Sequence, residues 1–303
     1  MTDAQAGFDA TDDVSLTERI AAREAELSPA EARVARYIAD NPEHVLYQSA
    51  QRIAKQARTS DATVVRTARS LGYSGLGDLK QSIGRTVTTK THPAARLEWR
   101  LQAAQQEAER DLLAQVSMDA IERIESTLTS VPAETLDHFV NYLEQANCVF
   151  TFGTGVSSTV AEYAAKKLSR LGLVTRQIGG MGFDIADDLM QLRKGDCVVI
   201  FCPGRLFREI EVILDCAERL SVPVLLVTSG LPPEVRNRMA VILDLAASPS
   251  GLTGEVLVPL LVMDAVLLGV GAQDRTRATA SSRQLNETRR LIDSRVGGLL
   301  RYR

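Results

Sequence analysis

Along residues 16 to 86, apolar residues recur every three or four positions, the spacing of helices that bury one face. The pattern predicts a first helix from Leu16 to Leu27. Ser28-Pro29-Ala30-Glu31 then forms a capping box with proline at the first helical position, and begins a second helix that ends at Asn41-Pro42. A last helix follows the turn at Tyr73-Ser74-Gly75. This part of the chain is therefore predicted to be a compact helical domain.

Residues 50 to 72 contain two short helical patterns separated by Arg58-Thr59-Ser60, which break the periodicity. The first helix has one apolar stripe, formed by Ala50, Ile53, Ala54 and Ala57. Ser60 or Asp61 can cap the second helix, and Gly72 can stop it. The inward face of the second helix is predicted to carry Val64, Val65, Ala68 and Leu71. Its outward face is predicted to carry Thr63, Arg66, Thr67 and Arg69.

The spacing within this segment suits two helices that cross at a steep angle. Ala54 provides the small residue needed at the crossing, and Val64 supplies a branched side chain that fixes the second helix on the first. The tight turn of such an element usually contains glycine. Arg58 stands there instead, so we expect a non-glycine residue with positive φ and modest backbone strain. The pattern predicts a helix-turn-helix element.

Positive charge is concentrated in this part of the chain. Residues 50 to 85 contain seven arginines and lysines and two aspartates, a net charge of +5, whereas the whole chain carries −3. A local basic patch on a mildly acidic protein is typical of proteins that bind the phosphate backbone of nucleic acids. The alternative is a solvated basic helix pair within a helical bundle.

We expect the second helix, which starts at Ser60, to enter the major groove of double-stranded DNA. The side chains predicted to reach base edges are those of Asp61, Thr63 and Arg66. The side chains predicted to contact mainly phosphates are those of Lys55, Arg69 and Lys80. Two paired domains would read half-sites one helical turn, ~34 Å, or a multiple apart. The operator is therefore predicted to be near-palindromic.

The hydrophobic period changes near residue 147. Segments typical of buried strands occur at 147–152, 173–178, 196–201, 222–228 and 240–244. Helical patterns lie between or after them, at 160–171, 206–220, near 233, 255–270 and 275–293. This alternation predicts an α/β domain with a doubly wound parallel sheet, covered by helices on both faces. Its ligand is expected beyond the carboxyl ends of the strands.

The loop after the first strand is a candidate anion site, formed by Gly153, Thr154, Gly155, Ser157 and Ser158. Its glycines let the backbone approach an anion, and the following helix offers unpaired N–H groups and a partial positive charge. A dinucleotide site is disfavoured, because the next strand ends in Thr175-Arg176-Gln177 rather than in an acidic residue. The alternative is a loop that binds no ligand and whose glycines only allow tight packing between the strand and the helix.

Other kinds of site find little support in the composition. Aromatic residues make up only 5% of the chain, which disfavours base stacking on aromatic platforms. Three separated histidines and four cysteines without CxxC spacing suggest neither a metal site nor a cofactor, and the cysteines are expected mainly in the core. No GxSxG motif occurs, so an enzyme is disfavoured. No signal peptide or uninterrupted apolar run of membrane-spanning length is present, so we expect a cytoplasmic protein.

Two pairs of motifs carry a family resemblance. LSPAEARVARYIADNP and SDATVVRTARSLGYSGLGDLK lie in the helical part, and FGTGVSSTVAEYAAKKLSRLG and KGDCVVIF lie in the α/β part. Together they resemble the RpiR/MurR family of bacterial transcription regulators, which join a helix-turn-helix domain to a sugar-isomerase-like (SIS) domain. The resemblance implies a regulator that binds a sugar phosphate and acts as a homodimer or homotetramer.

The second loop departs from the family pattern. SIS domains usually have Ser-x-Ser-Gly-x-Thr there, whereas this chain has Cys202-Pro203-Gly204-Arg205-Leu206-Phe207. Without these hydroxyls, the candidate effector residues of this loop are Gly204 and Arg205, with Arg208 a weaker candidate. A different acidic metabolite, an SIS domain used only for oligomerisation, and a sugar-phosphate isomerase are the alternatives.

The predicted organisation has five parts. A disordered tail (1–15) precedes the helix-turn-helix domain (16–86), and a linker at 86–95 with a coupling helix from Leu97 to about Leu128 occupies most of 87–130. The effector-binding and oligomerisation domain (131–293) and a tail (294–303) follow.

Overall fold

The computed structural model describes residues 16–46, 48–90, 94, 97–98, 101, 112–202, 204, 206–230, 233–247 and 254–295. The chain divides into two compact units. The first extends to Ser126, and the second begins at Thr127 and includes residues 254–295. Three predicted features lie outside the described residues, namely the tail at 1–15, the linker after Lys90 up to Pro93, and the whole segment from 102 to 111.

The first unit is helical, as predicted. Its helices are α1 (Leu16–Arg23), α2 (Pro29–Asp40), α3 (Pro42–Val45), α4 (Ala50–Gln56), α5 (Asp61–Ser70) and α6 (Leu76–Lys90). Their shared core includes the fully buried Val34, Ile38, Ile53, Val64 and Leu79. The core is therefore formed by the residues whose spacing marked them as apolar faces.

Three boundaries in this unit differ from the prediction. The first helix becomes a short 3₁₀ turn at Glu24–Glu26. Asn41-Pro42 ends α2 but also begins α3, because proline is well tolerated at the first position of a helix. Helix α6 continues to Lys90, so the linker predicted from residue 86 is wrong up to that point. Extending an existing helix adds one hydrogen bond per residue, which allows weak helix formers such as threonine at its end.

A longer helix, α7 (Leu112–Ser130), belongs to the first unit up to Ser126 and to the second from Thr127. It forms the longest described part of the predicted coupling helix, in which Leu97, Glu98 and Leu101 are also helical. In the second unit, Thr127 Oγ1 accepts a hydrogen bond from the Ala246 amide at 3.0 Å, and Ser130 Oγ donates to the Asp244 carbonyl at 2.7 Å. These bonds fix the C-terminal turn of α7 beside the last strand of the sheet.

The second unit contains the predicted parallel sheet. Its strands are β1 (Val149–Gly153), β2 (Thr175–Gln177), β3 (Cys197–Cys202), β4 (Val224–Thr228) and β5 (Val241–Asp244). All neighbouring strands are parallel, in the order β2-β1-β3-β4-β5. The chain reverses its direction of winding between β1 and β3, which is where the ligand of a doubly wound sheet is expected.

Helices cover both faces of this sheet. They are α8 (Ala133–Gln145), α9 (Ser157–Arg170), α10 (Ile185–Leu189), α11 (Arg208–Leu220), α12 (Pro233–Arg236), α13 (Leu257–Gln273) and α14 (Arg275–Arg295). Phe150 and Phe152 share one core with α10 and α11. Thr151, on the opposite face of β1, donates a hydrogen bond to the Ala161 carbonyl of α9 at 3.0 Å.

Some details of the second unit were not predicted. The connection between β2 and β3 contains a 3₁₀ turn at Gly182–Asp184 and the short helix α10. Helix α14 continues to Arg295, past the start of the predicted tail at 294, and residues 296–303 lie outside the described range. Cys197 and Cys202 are buried and Cys148 and Cys216 half-buried, in line with core thiols.

Membrane-spanning helices were sought by length and composition. Within the described ranges, no single helix is long and apolar enough to cross a bilayer. Only α13 and α14 taken together pass this test, and they are bent by 107°.

The predicted capping box has a wider role in the first unit. Glu31 Oε2 accepts hydrogen bonds from the Ser28 amide at 3.0 Å and from the Ser28 hydroxyl at 2.6 Å. Its other oxygen accepts one from Ser70 Oγ, at the end of α5, at 3.0 Å. The hydrogen bonds from Ser28, those from Ser70 and the charge of Arg66 hold the pKa of Glu31 below its ordinary value. One carboxylate thus joins the start of α2 to the end of α5.

We expect Glu31→Ala to destabilise the first unit by about 1–2 kcal/mol at neutral pH, because three donors lose a charged acceptor. The folded-state pKa of Glu31 is lowered, so its contribution is complete above pH 4.5 and is lost as the pH falls through the lower folded value. Hydrogen exchange of the α2 amides, compared between variant and wild type at each pH, measures the difference. A difference that stays constant under acid conditions, or an equal loss in the exposed control Glu26→Ala, would contradict this role.

Candidate functional site

The turn between α4 and α5 has the predicted backbone strain. Arg58 has φ +52°, in the left-handed region that glycine usually occupies. The Thr59 amide donates to the Ala54 carbonyl at 2.8 Å, which closes the end of α4. Arg33 of α2 donates to the Ala57 and Arg58 carbonyls, both at 3.3 Å. Bonds from outside the turn therefore stabilise a conformation that costs about 1–3 kcal/mol.

Helix α5 begins and ends as the sequence predicts. Ser60, rather than Asp61, is its N-cap, because Ser60 Oγ accepts a hydrogen bond from the Thr63 amide at 3.2 Å. Asp61 lies exposed in the first turn, where a carboxylate interacts favourably with the helix dipole. Gly72, with φ +89°, follows the end of the helix. The orientation of α5 is therefore fixed at both ends.

The exposed face of α5 differs in part from the prediction. Arg66 and Arg69 are exposed, but Thr63 and Thr67 are 8% and 0% exposed, so their predicted outward position is wrong. Thr67 Oγ1 donates to the Thr63 carbonyl at 2.8 Å, and the threonine methyl groups can then pack in the core. Ala62 is exposed and lies between Asp61 and the two arginines in the sequence of α5.

The two predicted lysine contacts also differ. Lys55 is exposed on α4. Lys80 is only 7% exposed, and its Nζ forms an ion pair of 2.7 Å with Glu122 of α7. A contact with a DNA phosphate requires an exposed side chain, so the predicted exposure of Lys80 is wrong. Its charge fixes α6 on α7 within the first unit. No local pattern indicates this pairing, because the two residues lie 42 positions apart.

The candidate effector loops meet at the carboxyl edge of the sheet. Gly153 is the last residue of β1 and lies opposite Phe201 of the neighbouring strand β3, whose last residue is Cys202. The two loops that follow these strands are therefore adjacent, at the point where the winding of the sheet reverses. The structure brings Thr154 and Gly204 to the same edge of one sheet, as the sequence predicts.

The first loop leaves backbone donors available. A Cβ atom on Gly153 would lie 2.5 Å from the Ser157 carbonyl oxygen, so only glycine allows α9 to start this close to β1. Gly155 has φ +54°. Within the described residues, the amides of Gly155 and Val156 donate to no backbone carbonyl, whereas those of Ser157 and Ser158 do. An anion at this helix start would find two N–H donors.

The hydroxyls of this loop differ in their surroundings. Thr154 is 9% exposed, while Ser157 is half-buried at the first position of α9. Ser158 Oγ donates its proton to the Gly155 carbonyl at 2.7 Å, so it can only accept from a ligand. Ser157 is therefore the best placed hydroxyl donor of the loop.

The second loop packs against the loop after β4. Gly204 has φ +91°, and a Cβ atom there would lie 2.7 Å from the Gly230 carbonyl oxygen. Arg205, the predicted anion partner in this loop, lies outside the described residues. Arg208, the weaker candidate, is exposed at the start of α11.

One polar residue at this edge was not among the predicted site residues. Thr228 ends β4 and is 3% exposed, yet in the described part of the chain its hydroxyl has no hydrogen-bond partner. An unpaired buried hydroxyl is costly, and a ligand or water at the strand ends would satisfy it. The signal that could have identified it is its position, since polar side chains at the carboxyl ends of parallel strands commonly face the ligand.

Comparison with known proteins places both units. Residues 14–90 match the family model described as a helix-turn-helix domain of the rpiR family. The uncharacterized HTH-type transcriptional regulator YbbH of Bacillus subtilis is 24% identical over 273 residues, which cover 86% of this chain and 94% of that protein. The bifunctional protein glk of Burkholderia mallei is 27% identical over 257 residues, 84% of this chain. The chain spans only 39% of the length of that relative.

Two solved structures have a similar fold. The Vibrio vulnificus NanR protein, complexed with ManNAc-6P, superposes with a TM-score of 0.53 at 22% identity, covering 90% of this chain and 97% of that one. The sugar isomerase domain of an RpiR transcription factor from Sphaerobacter thermophilus has a TM-score of 0.54 at 23% identity, covering 58% and 98%. The second unit therefore has the fold of an SIS domain.

The chain thus joins a unit that matches a helix-turn-helix domain of the rpiR family to a unit with the fold of an SIS domain.

The ion pair between Lys80 and Glu122 can be distinguished from a phosphate contact. Lys80→Met should lower the stability of the first unit by about 1–3 kcal/mol, since it leaves a largely buried carboxylate without its partner. The dependence of DNA affinity on salt should not change. Loss of a true phosphate contact, as expected for Lys55→Met, should instead reduce the salt slope by about one. Unfolding measurements and salt titrations of both variants test this; a reduced slope at full stability for Lys80→Met would contradict the structural role.

Proposed function

We propose that this protein regulates transcription by binding an operator through α5 and that its SIS domain senses a sugar phosphate or a similar acidic metabolite. The observation that carries the proposal is the rpiR-type helix-turn-helix unit, in which Arg66 and Arg69 stand exposed on a helix that is capped at both ends. Binding of a phosphate backbone by this basic face accounts for the local excess of positive charge.

The exposed side chains of this unit suit different parts of the DNA. Arg66 suits a guanine, because its guanidinium can donate two hydrogen bonds to the base edge in the major groove. Ala62 suits the methyl group of a thymine. Lys55 of α4 and Arg69 near the end of α5 are exposed and suit phosphates. Asp61 at the helix start suits a cytosine amino group.

Recognition by two copies explains an operator with two half-sites. A homodimer or homotetramer presents pairs of α5 helices related by a two-fold axis, so the two half-sites should read the same sequence in opposite directions. The near-palindromic operator follows from this symmetry.

The first loop of the sheet is the proposed effector site. The similar NanR protein was solved in complex with ManNAc-6P. A phosphate at the start of α9 in this chain would accept hydrogen bonds from the amides of Gly155 and Val156 and from the hydroxyl of Ser157. The buried Thr228 hydroxyl at the end of β4 gives a further donor at the same edge of the sheet. Arg205 is proposed to neutralise part of the ligand charge.

Sensing requires that the effector binds unequally to two arrangements of the protein. Helix α7 is the proposed coupler, because Glu122 is paired with Lys80 in the first unit and Thr127 is bonded to the chain after β5 in the second. A shift of the sheet edge would then act on the same helix that holds α6.

We propose a cytoplasmic regulator without catalytic activity. Some relatives are named bifunctional, but this chain spans only 39% of their length, so the activity of the rest does not carry over. The sequence has no histidine after His138 to act as an acid or base in the sheet domain. Turnover of sugar phosphates by the purified chain would favour the isomerase alternative.

Arg66→Ala should weaken binding to the operator by roughly tenfold to a hundredfold and relax the preference at one base pair of each half-site, since one bidentate contact to a base is lost. Lys55→Ala is the matched control, expected to weaken binding to all sequences alike. Affinity measured against a library of operator variants separates the two effects. An unchanged sequence preference in Arg66→Ala would remove this residue from the base-reading set.

Ser157→Ala should reduce the affinity for sugar phosphates by roughly tenfold to a hundredfold, because one hydrogen bond to a charged group is lost. Calorimetry with a panel of hexose and hexosamine 6-phosphates gives the dissociation constants. Ser169→Ala, at the other end of the same helix, is the control. Equal affinities for wild type and Ser157→Ala would place the effector elsewhere.

A further inference from the structure

A groove of about 900 Å³ lies between α10 and α11, on the side of the sheet away from α9. Phe183 and Met190, which line it, are 97% and 69% exposed. Pockets for small ligands have volumes of ~300–1,000 Å³, and exposed apolar side chains gathered in a concave surface mark a binding site. The apolar lining includes Phe183, Leu189, Met190, Leu192, Val212 and Leu220.

Three arginines also line this groove, namely Arg193, Arg208 and Arg219. Within the described residues, no carboxylate forms an ion pair with any of them. Among the described residues of the lining, the one acid is Glu209, which accepts a hydrogen bond from the Gly182 amide at 3.2 Å. The lining therefore carries three positive charges and one negative charge, a balance that favours an anionic ligand.

Acids near two of these arginines in the sequence interact with other groups. Asp215 and Glu218 of α11 both form ion pairs with Arg238. Asp196 accepts a hydrogen bond from the backbone amide of Arg193 at 2.7 Å, and not from its guanidinium. These acids therefore leave the positive charge of the groove available to a ligand.

Neutral acceptors hold two of the guanidinium groups in place. Arg193 Nη1 donates to the carbonyls of Met190 and Leu192 at 2.7 and 2.9 Å. Arg219 Nε donates to the Asp215 carbonyl at 3.2 Å. A guanidinium has five N–H donors, so each of these groups retains donors for a ligand. Because both groups are already positioned, binding an anion costs them little conformational entropy.

Arg193 and Arg219 lie at the same end of the groove, at the amino edge of the sheet. Arg219 is in the last turn of α11, which leads to the start of β4. Arg193 precedes β3, and the Gly195 carbonyl in the same segment accepts a hydrogen bond from the Asn147 amide, just before β1. Arg208 begins α11 at the carboxyl edge, about 17 Å from Arg219 along the helix. The groove therefore extends from one edge of the sheet to the other.

This distribution of charge selects an elongated ligand with an anionic head group. At the carboxyl edge, Arg208 has Glu209 beside it, whereas the two arginines at the amino edge have no acid next to them in the lining. A carboxylate there can accept paired hydrogen bonds from a guanidinium. A hydrocarbon chain attached to it would cover the exposed Met190, Val212 and Phe183 along α11, which removes apolar surface from water.

We propose that the groove between α10 and α11 binds an amphipathic carboxylate, of the class of medium-chain fatty acids. Its head group contacts Arg193 and Arg219, and its chain runs along α11 toward Phe183. The proposed effector loops lie at the carboxyl edge of the sheet, so the head group occupies the opposite edge. This site does not depend on the sensing of a sugar phosphate, and either proposal can fail while the other holds.

Calorimetry of the full chain with decanoate, below the concentration at which it forms micelles, tests the proposal. Arg193→Gln and Arg219→Gln should each weaken binding roughly tenfold to a hundredfold, because a hydrogen bond between charged groups is lost. Lys194→Gln is the matched control, since Lys194 is exposed next to Arg193 but does not line the groove. It should leave the affinity nearly unchanged, because salt screens an exposed charge. Decanol, which lacks the charge, should bind equally to the wild type and to both arginine variants.

Three results of this titration would overturn the proposal. The first is the absence of decanoate binding to the wild type, or an equal affinity in the wild type and both arginine variants. The second is binding of acetate as tight as that of decanoate, which would show an anion site without a place for the chain. The third is an affinity for decanoate that falls as the protein concentration rises, which would show that a second chain covers the groove.

Alkylation of introduced cysteines locates the hydrocarbon chain. Val212 lines the groove and is 45% exposed, whereas the adjacent Glu211 is exposed outside the lining. With decanoate at about ten times its dissociation constant, the reaction of iodoacetamide with Val212→Cys should slow roughly tenfold, because the free form is depleted by that factor. The rate for Glu211→Cys should not change. Mass spectrometry of the labelled peptides gives both rates, and an unchanged rate for Val212→Cys or equal slowing in both variants would overturn the placement of the chain.

Discussion

The close approach of β1 and α9 at Gly153 is the constraint on which the proposed effector site depends. A side chain there would lie 2.5 Å from the Ser157 carbonyl, so the helix could not begin where the strand ends. Because it does, the amides of Gly155 and Val156 remain available at the sheet edge, next to the loop after β3. Helix α9 also contacts α13, where the Tyr163 hydroxyl donates a hydrogen bond to Asp264.

The helix-turn-helix unit depends on a comparable backbone constraint, which it meets in a different way. The turn after α4 requires a left-handed residue, and Arg58 adopts this conformation without the freedom of glycine. Arg33 compensates through bonds to the carbonyls of Ala57 and Arg58, and Glu31 in the same helix ties down the end of α5. Helix α2 thus supports α5 and the turn before it, and also forms part of the core.

Much of this organisation follows from local sequence signals. The capping box at Ser28, the left-handed Arg58 and the parallel sheet were predictable, since each depends on neighbouring residues or on a regular period. The burial of Thr67 and the pairing of Lys80 with Glu122 were not. A threonine can satisfy its hydroxyl on the preceding turn, and an ion pair between distant helices leaves no local pattern.

Regulation by an effector requires coupling between the proposed effector loop and α5. The most direct test is the operator affinity of the full chain, measured by fluorescence anisotropy at fixed salt with and without a saturating sugar phosphate that binds the wild type and not Ser157→Ala. A coupled regulator should change its dissociation constant roughly 5- to 150-fold. An operator affinity that is the same with and without the bound sugar phosphate would contradict regulation by an effector.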